Sequence, residues 1–329
     1  MLLRQLEYLC ALAQEGHFGR AAEVCHVSQP ALSAAIRKIE AELGVQIVLR
    51  GQKFGGLTQE GQQVVSWAHR VLAEQEALRQ QLSGMRGGLS GTLRIGAIPT
   101  ALTVASLLAQ PLHERHPKVR FCLESLTSRQ IVHRLSEFEL DVGMTYVDGE
   151  SLGAVHTVPL YGERYLLLTP RHNEFSERSM VGWAEAADRP LCLLSPVMQN
   201  RRILDRNFAA AGVAVHPVVE TDTVSAIYAH VRSMGLSSVI AHAWLHLFGV
   251  PEDMRVIPME RPPHEYQVGL VLAGWRSESL LVNALLGVVC EVDLPGELER
   301  IMRQSVNPAG VDLDEVDRGE VDRGEPEPR

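Results

Sequence analysis

The segment that most restricts the fold runs from His17 to Gly44, where two helical patterns meet at a tight connection. In the second pattern, Ser28 is a candidate N-cap, and Pro30 lies in the first turn, where its missing N–H costs no hydrogen bond. Apolar side chains follow at the spacing of one helix face: Leu32, Ile36, Ile39 and Leu43. The sequence therefore predicts a short helix, a tight turn and a second helix with one buried face.

The other face of the second helix carries Gln29, Ser33 and Arg37, which hydrogen-bond well to bases and phosphates. In the preceding helical pattern, Ala21 and Ala22 allow a close approach between the two helices. Such a pair fits a helix-turn-helix whose second helix enters the major groove of DNA. On pattern alone, an ordinary αα-hairpin inside a core is equally well supported.

A family resemblance decides between these two interpretations. The set Ala21-Ala22, Ser28-Gln29-Pro30, Ser33, Ile36, Glu40 and Leu43-Gly44 resembles the signature of LysR-type transcriptional regulators. The resemblance extends from Leu3 to about Arg300. It implies a cytoplasmic, non-enzymatic regulator that binds double-stranded DNA as a homodimer or homotetramer, without a cofactor or metal and with RNA polymerase as a potential further partner.

The resemblance and the patterns together predict an α/β chain with an N-terminal winged helix-turn-helix, a long linker helix and a two-lobed, periplasmic-binding-protein-like effector domain. We expect residues 1–57 to bind DNA, 58–86 to form the linker helix and 87–91 to act as a hinge. The effector domain would cover residues 92–304. Its first lobe would hold about 92–162 and 267–304, and its second about 163–266.

Net charge is −9, which by itself argues against a nucleic-acid ligand. The segment from residue 305 contains three arginines and eight acidic residues, so this tail alone contributes −5. Its composition and its two copies of EVDRG predict a disordered tail over residues 305–329. Residues 1–57 are nearly neutral, with six basic and five acidic side chains, so DNA affinity must depend on where the cations lie.

A wing is predicted directly after the second helix. Residues 47–49 are strand-like and residues 52–56 read as a turn, which would place Arg50 and Lys53 at a phosphate or minor groove. The family usually has an aromatic side chain where Val48 stands, so the packing of the wing would differ here. A solvated basic turn is the alternative interpretation.

Thr58 is a candidate N-cap for a long helix. Within it, side chains alternate steps of four and three: Leu57, Gly61, Val64, Ala68, Val71, Gln75, Leu78, Leu82 and Met85. This heptad seam predicts a dimer through the helix, unless another part of the chain covers it.

Beyond residue 91, strands and helices alternate, which predicts α/β layers with mainly parallel sheets. Ligands of open α/β sheets bind beyond the carboxyl ends of strands, and helix N-termini favour anions. Thr100, Ser128 and Thr223 are candidate N-caps at such strand ends. The expected effector site therefore comprises Thr100, Thr127, Ser128, Met198, Gln199 and Thr223, with a small carboxylate or similar anion as ligand. For each hydroxyl taken singly, a purely capping role is the commoner one.

Two narrower resemblances bear on the effector. The stretch HFGRAAEVCHVSQPALS is similar to the peroxide-sensing branch, which uses two cysteines whose positions here hold Gln199 and Phe208. That implies the loss of the disulfide switch, although a redox-responsive regulator is the alternative function. Other stretches, among them RGQKFGGLTQEG and PVMQNRRILDR, resemble regulators associated with formate dehydrogenase operons.

The five cysteines show no CxxC or Cys/His metal-ligand spacing, which favours free thiols in a reducing compartment. No GxSxG or P-loop motif is present, so nothing in the sequence favours an enzyme.

Overall fold

The computed structural model describes residues 1–49, 54–148, 152–153, 155–172, 175, 178–273 and 279–306, and for residues 83–87 it describes the backbone alone. The N-terminal domain has three helices, α1 (Leu3–Glu15), α2 (Phe18–Val24) and α3 (Gln29–Leu43). Their apolar faces meet in one cluster that includes Leu9, Leu32 and Ile39. Because each helix has only one apolar face, the three helices must pack around a shared core.

The second helix pattern is confirmed with one correction. Leu32, Ile36 and Ile39 are buried, as predicted. Leu43, which was predicted on the same buried face, is 45% exposed. It lies in the last turn, just before Gly44 takes the left-handed conformation with φ 69° and ends the helix.

The long helix α4 (Gln59–Gly87) begins at the predicted cap. Thr58 Oγ1 accepts a hydrogen bond from Gly61 N at 2.9 Å. Gly61 also lets α4 pass close to the strand before it, because a Cβ there would collide with the backbone carbonyl oxygen of Ile47.

The predicted seam of α4 is only partly correct. Gly61 is buried against the backbone of Ile47, and Ala68 is buried in a helix that packs against α1 of the same chain. The apolar side chains that remain exposed share one face of the helix: Trp67, Val71, Leu78 and Leu82. Periodicity identified an apolar face but did not show which part of it the chain itself covers.

The connection between α4 and the next domain is shorter than the predicted hinge over residues 87–91. Gly87 belongs to α4, and the first strand of the next domain already begins at Ser90. Gly88 and Leu89 alone separate the helix from that strand, and Leu89 is buried. Gly88 has φ 115°, a backbone conformation that favours glycine.

The first lobe is built around β1 (Ser90–Ala97), which pairs in parallel with both β2 (Lys118–Ser125) and β3 (Val142–Tyr146). β4 (Val155–Gly162) forms the far edge of this sheet. The helices between these strands are α5 (Pro99–Leu102), α6 (Ala105–Arg115) and α7 (Ser128–Ser136).

The second lobe follows after the chain leaves β4. Its strands are β5 (Tyr165–Pro170), β6 (Cys192–Leu194), β7 (Val219–Thr221), β8 (Ser238–Ala241) and β9 (Met254–Pro258). Its helices are α8 (Trp183–Ala187), α9 (Gln199–Ala210), α10 (Val224–Met234) and α11 (Leu245–Phe248), the last preceded by a 3-10 turn at His242–Trp244. β5 pairs antiparallel with β8 and β9, whereas β6 and β7 pair in parallel.

The chain then returns to the first lobe through β10 (Gln267–Ala273) and α12 (Leu280–Glu291), and ends its described part in α13 (Leu294–Val306). β10 lies antiparallel between β3 and β4. The expectation of mainly parallel sheets is therefore wrong, because each lobe combines parallel and antiparallel pairs. The antiparallel pairs arise where the chain passes from one lobe to the other and back.

The sequence predicted that α13 belongs to the first lobe, but the helix contacts both lobes. Leu294 and Leu298 join a core cluster that draws on both lobes, whereas Met302 packs into a cluster of the second lobe. The helix also extends to Val306, beyond the predicted start of the acidic tail at residue 305. Residues 307–329 lie outside the described part of the chain.

Candidate functional site

The first candidate site is the exposed face of α3. Ser28 Oγ caps the helix by accepting a hydrogen bond from Ala31 N at 3.4 Å, and Pro30 occupies the first turn, as predicted. Gln29 and Arg37 are exposed and Ser33 is half-buried on the same side of the helix. This arrangement leaves one amide, one hydroxyl and one guanidinium free to meet a ligand outside the protein.

The turn before α3 fixes how the helix projects. His26 takes a left-handed conformation with φ 53°. Val27 N donates a hydrogen bond to Ala22 O at 2.9 Å, which closes the turn over the buried alanines. α2 and α3 are therefore held at a defined angle by a turn of very few residues.

The base of the predicted wing is formed by a bridge between Val48 and Leu57. Glu40 of α3 secures it, because Glu40 Oε1 accepts hydrogen bonds from Ile47 N at 2.9 Å and Val48 N at 3.2 Å. Glu40 belongs to the family signature, and its hydrogen bonds to Ile47 and Val48 give it a structural role that the sequence did not indicate. Arg50 and Lys53, the predicted groove-binding cations, lie outside the described residues.

Val48 is buried in the core of the N-terminal domain. A buried aliphatic side chain therefore stands where the family usually has an aromatic one. Phe54 packs edge-to-face against Phe18 with their ring centroids 6.1 Å apart. The apolar strand of the wing is thus anchored by residues on both sides of its tip.

The second candidate site lies where the two lobes meet. On the first lobe, Thr100 is fully buried inside α5, so the prediction that it caps a helix is wrong. Its Oγ1 atom lies beside the Tyr146 phenol but has no hydrogen-bond partner of good geometry among the described residues. A buried hydroxyl without a partner is costly, which makes Thr100 a candidate ligand contact.

Thr127 and Ser128 exchange the roles that the sequence suggested. Thr127 is the N-cap of α7, with its Oγ1 accepting from Gln130 N at 3.3 Å. Ser128 is buried in the first turn, and its Oγ accepts a hydrogen bond from the Thr145 hydroxyl at 2.8 Å. Of the two, only Ser128 faces the interior.

On the second lobe, α9 begins at Gln199, after Met198 as its N-cap residue. Gln199 is buried, and neither its Oε1 nor its Nε2 has a hydrogen-bond partner among the described residues. Thr223, by contrast, is exposed and caps α10 by accepting from Ala226 N at 3.3 Å. The structure therefore favours Gln199 and gives Thr223 a capping role.

A residue that the sequence analysis missed lies at the centre of the lobe junction. Glu163 sits between β4 and β5, where the chain crosses from one lobe to the other, and it is buried. Its Oε2 accepts hydrogen bonds from the hydroxyls of Tyr146 at 2.6 Å and Tyr165 at 2.9 Å. Burial raises the pKa of this carboxyl to about 7.

Asn200, also missed, joins α9 to this cluster. Its Nδ2 donates to the Tyr146 hydroxyl at 3.1 Å and to Glu163 Oε2 at 3.4 Å. Asn200 Oδ1 and Glu163 Oε1 have no partner among the described residues. We call these residues, with Thr100 beside Tyr146 and with Gln199 as the buried chain neighbour of Asn200, the inter-lobe cluster: Thr100, Tyr146, Glu163, Gln199 and Asn200.

Metal binding has no support within the described part of the chain, where no group of three or more His, Cys, Asp and Glu side chains is placed to hold an ion. None of the helices there is long and apolar enough to cross a bilayer.

Comparison with protein families then identifies both halves of the molecule. Residues 3–62 match the bacterial regulatory helix-turn-helix protein of the lysR family, and residues 86–292 match the LysR substrate binding domain. The chain belongs to the LysR family. Its fold is the predicted one of an N-terminal helix-turn-helix followed by a two-lobed LysR substrate binding domain.

Curated relatives of this LysR-family chain include the DNA-binding transcriptional dual regulator OxyR of Escherichia coli (strain K12), which is 37% identical over 195 residues. This match covers 59% of the chain and 64% of that protein, less than two thirds of its length. An uncharacterized HTH-type transcriptional regulator of Shigella flexneri, YfeR, is 27% identical and is matched over 92% of its length and 87% of this chain.

Solved structures resemble the LysR-family chain over nearly its whole length. A full-length OxyR variant from Pseudomonas aeruginosa is 27% identical, with a TM-score of 0.71 and coverage of 90% of this chain and 97% of that one. Full-length CbnR complexed with its target DNA is 19% identical, with a TM-score of 0.64 and coverage of 88% and 99%. The second likeness shows the fold alone.

Proposed function

We propose that this LysR-family regulator reads a specific DNA sequence with α3 and responds to a small anionic effector bound at the inter-lobe cluster. In this proposal residues 1–57 bind DNA, α4 forms a dimer, and the two lobes bind the effector. The proposal assigns no catalytic activity to the chain. Because its target is DNA, we place it in the cytoplasm.

The DNA-reading role is supported by the exposed face of α3. Gln29, at the N-terminal end of the helix, is suited to contact a base edge, beside Ser28 and Pro30. Ser33 and Arg37 are suited to phosphates. Arg50 and Lys53 of the wing would add further backbone contacts.

Gln29→Ala and Arg37→Ala test this role. The Gln29 change should cost about 1–3 kcal/mol on the cognate site and much less on random DNA. The Arg37 change should weaken both alike and flatten the salt dependence by about one unit. Gln14→Ala is a suitable control, because this exposed side chain lines the cavity between α1 and the first lobe. Equal loss on both DNAs for the Gln29 variant would exclude base reading.

The observation that carries the effector site is the set of buried polar atoms without partners. Thr100 Oγ1 comes from the first lobe and the Gln199 amide from the second, so one ligand between them would bridge both lobes. Ser128, in the first turn of α7, is a further buried hydroxyl of the first lobe and is hydrogen-bonded to Thr145. A ligand that bridges two lobes favours one lobe orientation, which is the differential affinity that a switch requires.

Formate is the first effector to test, since the sequence resembles regulators associated with formate dehydrogenase operons. At a concentration of a hundred times its dissociation constant, an effector should stabilise its domain by about 2.7 kcal/mol. Thermal unfolding of the full chain with sodium formate measures this. Thr100→Val should abolish the shift and spare DNA binding, whereas an unchanged affinity would place the site elsewhere.

Assembly as a homodimer or homotetramer is supported by the exposed stripe Trp67, Val71, Leu78 and Leu82 on α4. These side chains are apolar, share one helix face and are between 38% and 63% exposed. A second copy of the helix would bury them along a coiled-coil seam. RNA polymerase is proposed as a further partner only through the family resemblance.

A redox-responsive regulator is the second candidate, because some relatives are named hydrogen peroxide-inducible genes activators. The residues present argue against it. Phe208 is fully buried and packs edge-to-face on Trp183, with centroids 5.2 Å apart. Cys192 is buried, and burial raises the pKa of its thiol to about 11, which keeps it in the unreactive protonated form.

A further inference from the structure

Glu163 poses a problem for any anion at the inter-lobe cluster. Its carboxyl group is buried among Tyr146 of β3, Tyr165 of β5 and Asn200 of α9, so it lies in contact with both lobes. The inference developed here rests on the proposed effector site. An ionised Glu163 would repel a second negative charge placed beside it, and a buried site screens such repulsion poorly.

No basic side chain of the inter-lobe cluster offsets this repulsion. Arg201, the buried cation of α9, is paired with Asp205 at 2.8 Å and with Glu220 at 2.6 Å, and it is therefore already neutralised. The titratable groups that act on Glu163 include Tyr146, Tyr165, Tyr161 of β4 and the carboxylate of Asp148. The cavity beside Glu163 is also lined by Arg164, Arg261 and Arg303, and Arg164 is paired with Glu299 at 3.7 Å. On α5 and α9 the facing residues are Thr100 and Asn200, which do not titrate.

The two oxygens of the carboxyl group are in different environments. Oε2 already accepts two O–H groups and one N–H group. Oε1 is buried and has no partner among the described residues. A proton on this carboxyl is therefore best placed on Oε1, where it does not compete with three existing donors.

We propose that the inter-lobe cluster binds a small monoanion together with one proton, which Glu163 keeps on Oε1 and through which it donates a hydrogen bond to the anion. The proton comes from solvent. The ionised carboxylate becomes a neutral carboxylic acid that is hydrogen-bonded to the anion, and no covalent bond forms or breaks elsewhere. Glu163 would then be the residue that permits an anion at a cluster that has no basic side chain of its own.

The neutral acid also gives the site the donors that a carboxylate ligand needs. Glu163 Oε1–H, the Thr100 hydroxyl and Gln199 Nε2 are three donors drawn from both lobes and the crossover between them. Without the proton, the cluster presents mainly acceptors, since Glu163 Oε1, Asn200 Oδ1 and Gln199 Oε1 are all free. Proton uptake therefore changes both the charge and the hydrogen-bonding character of the site.

Proton uptake fixes the sign of the pH dependence. The pKa of Glu163 is about 7 before the anion binds, so below that pH the carboxyl is already protonated. Above it, each unit of pH makes the required proton ten times scarcer. The dissociation constant of the anion should rise about tenfold from pH 6 to pH 8 and about a hundredfold from pH 6 to pH 9.

The test uses the full chain with sodium formate and, separately, sodium acetate at pH 6, 7, 8 and 9 and constant ionic strength. Thermal shifts give the dissociation constants. Calorimetry at pH 8 in two buffers of different ionisation enthalpy counts the protons, and nearly one should be taken up per anion. This second measurement needs no variant, so it stands even if a substitution disturbs folding.

Glu163→Gln places a neutral amide at the same position. Its oxygen can accept from both tyrosines, and its N–H₂ replaces the donor on Oε1. The variant should bind formate with an affinity that does not depend on pH, and at pH 9 it should bind more tightly than the wild type. Glu114→Gln is the control, because Glu114 is an exposed carboxylate on α6 that accepts from Gln110. It should keep the wild-type pH profile.

Three results would overturn the inference. They are an affinity for formate and acetate that is constant from pH 6 to 9, an affinity that increases with pH, and a Glu163→Gln variant that keeps the wild-type profile. In each case anion binding would survive, and the proposed effector site with it. If neither anion binds at pH 6, the anion site itself fails, and the proton inference fails with it.

Discussion

Thr100→Val should make the effector-free protein more stable while removing its response to an effector. In the structure the Thr100 hydroxyl is fully buried and lacks a well-formed hydrogen bond. Burying such a group costs about 1–3 kcal/mol in proteins. Valine has nearly the same shape, so replacing the hydroxyl with a methyl group removes that cost without leaving a cavity.

The size of the expected gain in stability follows from the surroundings of the Thr100 hydroxyl. Because the Tyr146 phenol lies beside the Thr100 hydroxyl, we take the low end of the range and expect a gain of about 1 kcal/mol. For a domain of roughly 200 residues, that corresponds to a rise in melting temperature of about 2–4 °C. An ordinary substitution in a buried site would lower stability instead.

Thr145→Val is the matched control. The Thr145 hydroxyl is also fully buried, but it donates to Ser128 Oγ at 2.8 Å. Removing that donor should destabilise the domain by about 1 kcal/mol. The same Thr→Val substitution is therefore expected to increase the stability of the domain at position 100 and to decrease it at position 145.

Differential scanning calorimetry of the full chain measures both variants, and the transition that moves with formate identifies the effector domain. If Thr100→Val lowers the melting temperature as Thr145→Val does, the Thr100 hydroxyl is satisfied in the free protein. It would then not be held available for a ligand.

Leu78→Asp should abolish dimerisation in sedimentation experiments, because it places a charge in the exposed stripe of α4. Leu247→Asp, at a similarly exposed leucine of α11, should leave the dimer intact. A dimer that survives Leu78→Asp would mean that another surface joins the subunits. Glu40→Ala leaves the N–H groups of Ile47 and Val48 without their acceptor and should lower the free energy of unfolding by about 1–3 kcal/mol in denaturant titrations. A much smaller decrease would contradict the role of Glu40 at the base of the wing. Operator footprints of reduced and peroxide-treated protein should coincide, and a peroxide shift abolished by Cys192→Ser would restore the redox alternative.

The recognition helix could be predicted from the sequence because its signals are local. Ser28, Pro30 and the buried Leu32, Ile36 and Ile39 lie within one short segment, and each acts on its own helix. Capping and periodicity depend on neighbours along the chain, so no knowledge of the rest of the fold is needed. Leu43 departs from the pattern because burial also depends on what packs against the last turn.

The linker helix shows where periodicity stops being sufficient. The heptad pattern identified an apolar face on α4, but α1 of the same chain covers its first half, including Ala68. The exposed stripe instead begins at Trp67, which the predicted seam did not contain. A pattern defines which side chains share a face, whereas tertiary contacts decide which of them remain for a partner.

The inter-lobe cluster was found only in part for the same reason. Thr100, Ser128 and Gln199 follow strand ends, and this local signal was enough to single them out. Glu163 and Asn200 carry no such signal, because their importance comes from contacts between β3, the lobe crossover and α9. The one available hint was a glutamate beside tyrosines in YGERY, since a buried carboxylate needs such donors.

β1 connects the two functional ends of the molecule. At its start, Gly91 lies against Gln80 and Glu76 of α4, so close that an added Cβ would contact both side chains. At its other end, the strand leads through Ile98 directly into α5 and Thr100. It pairs on both sides with β2 and β3, which makes it a stiff central strand. Any rearrangement of the lobes around Thr100 must therefore displace this strand relative to the second lobe, and the strand meets the linker helix without an intervening flexible loop.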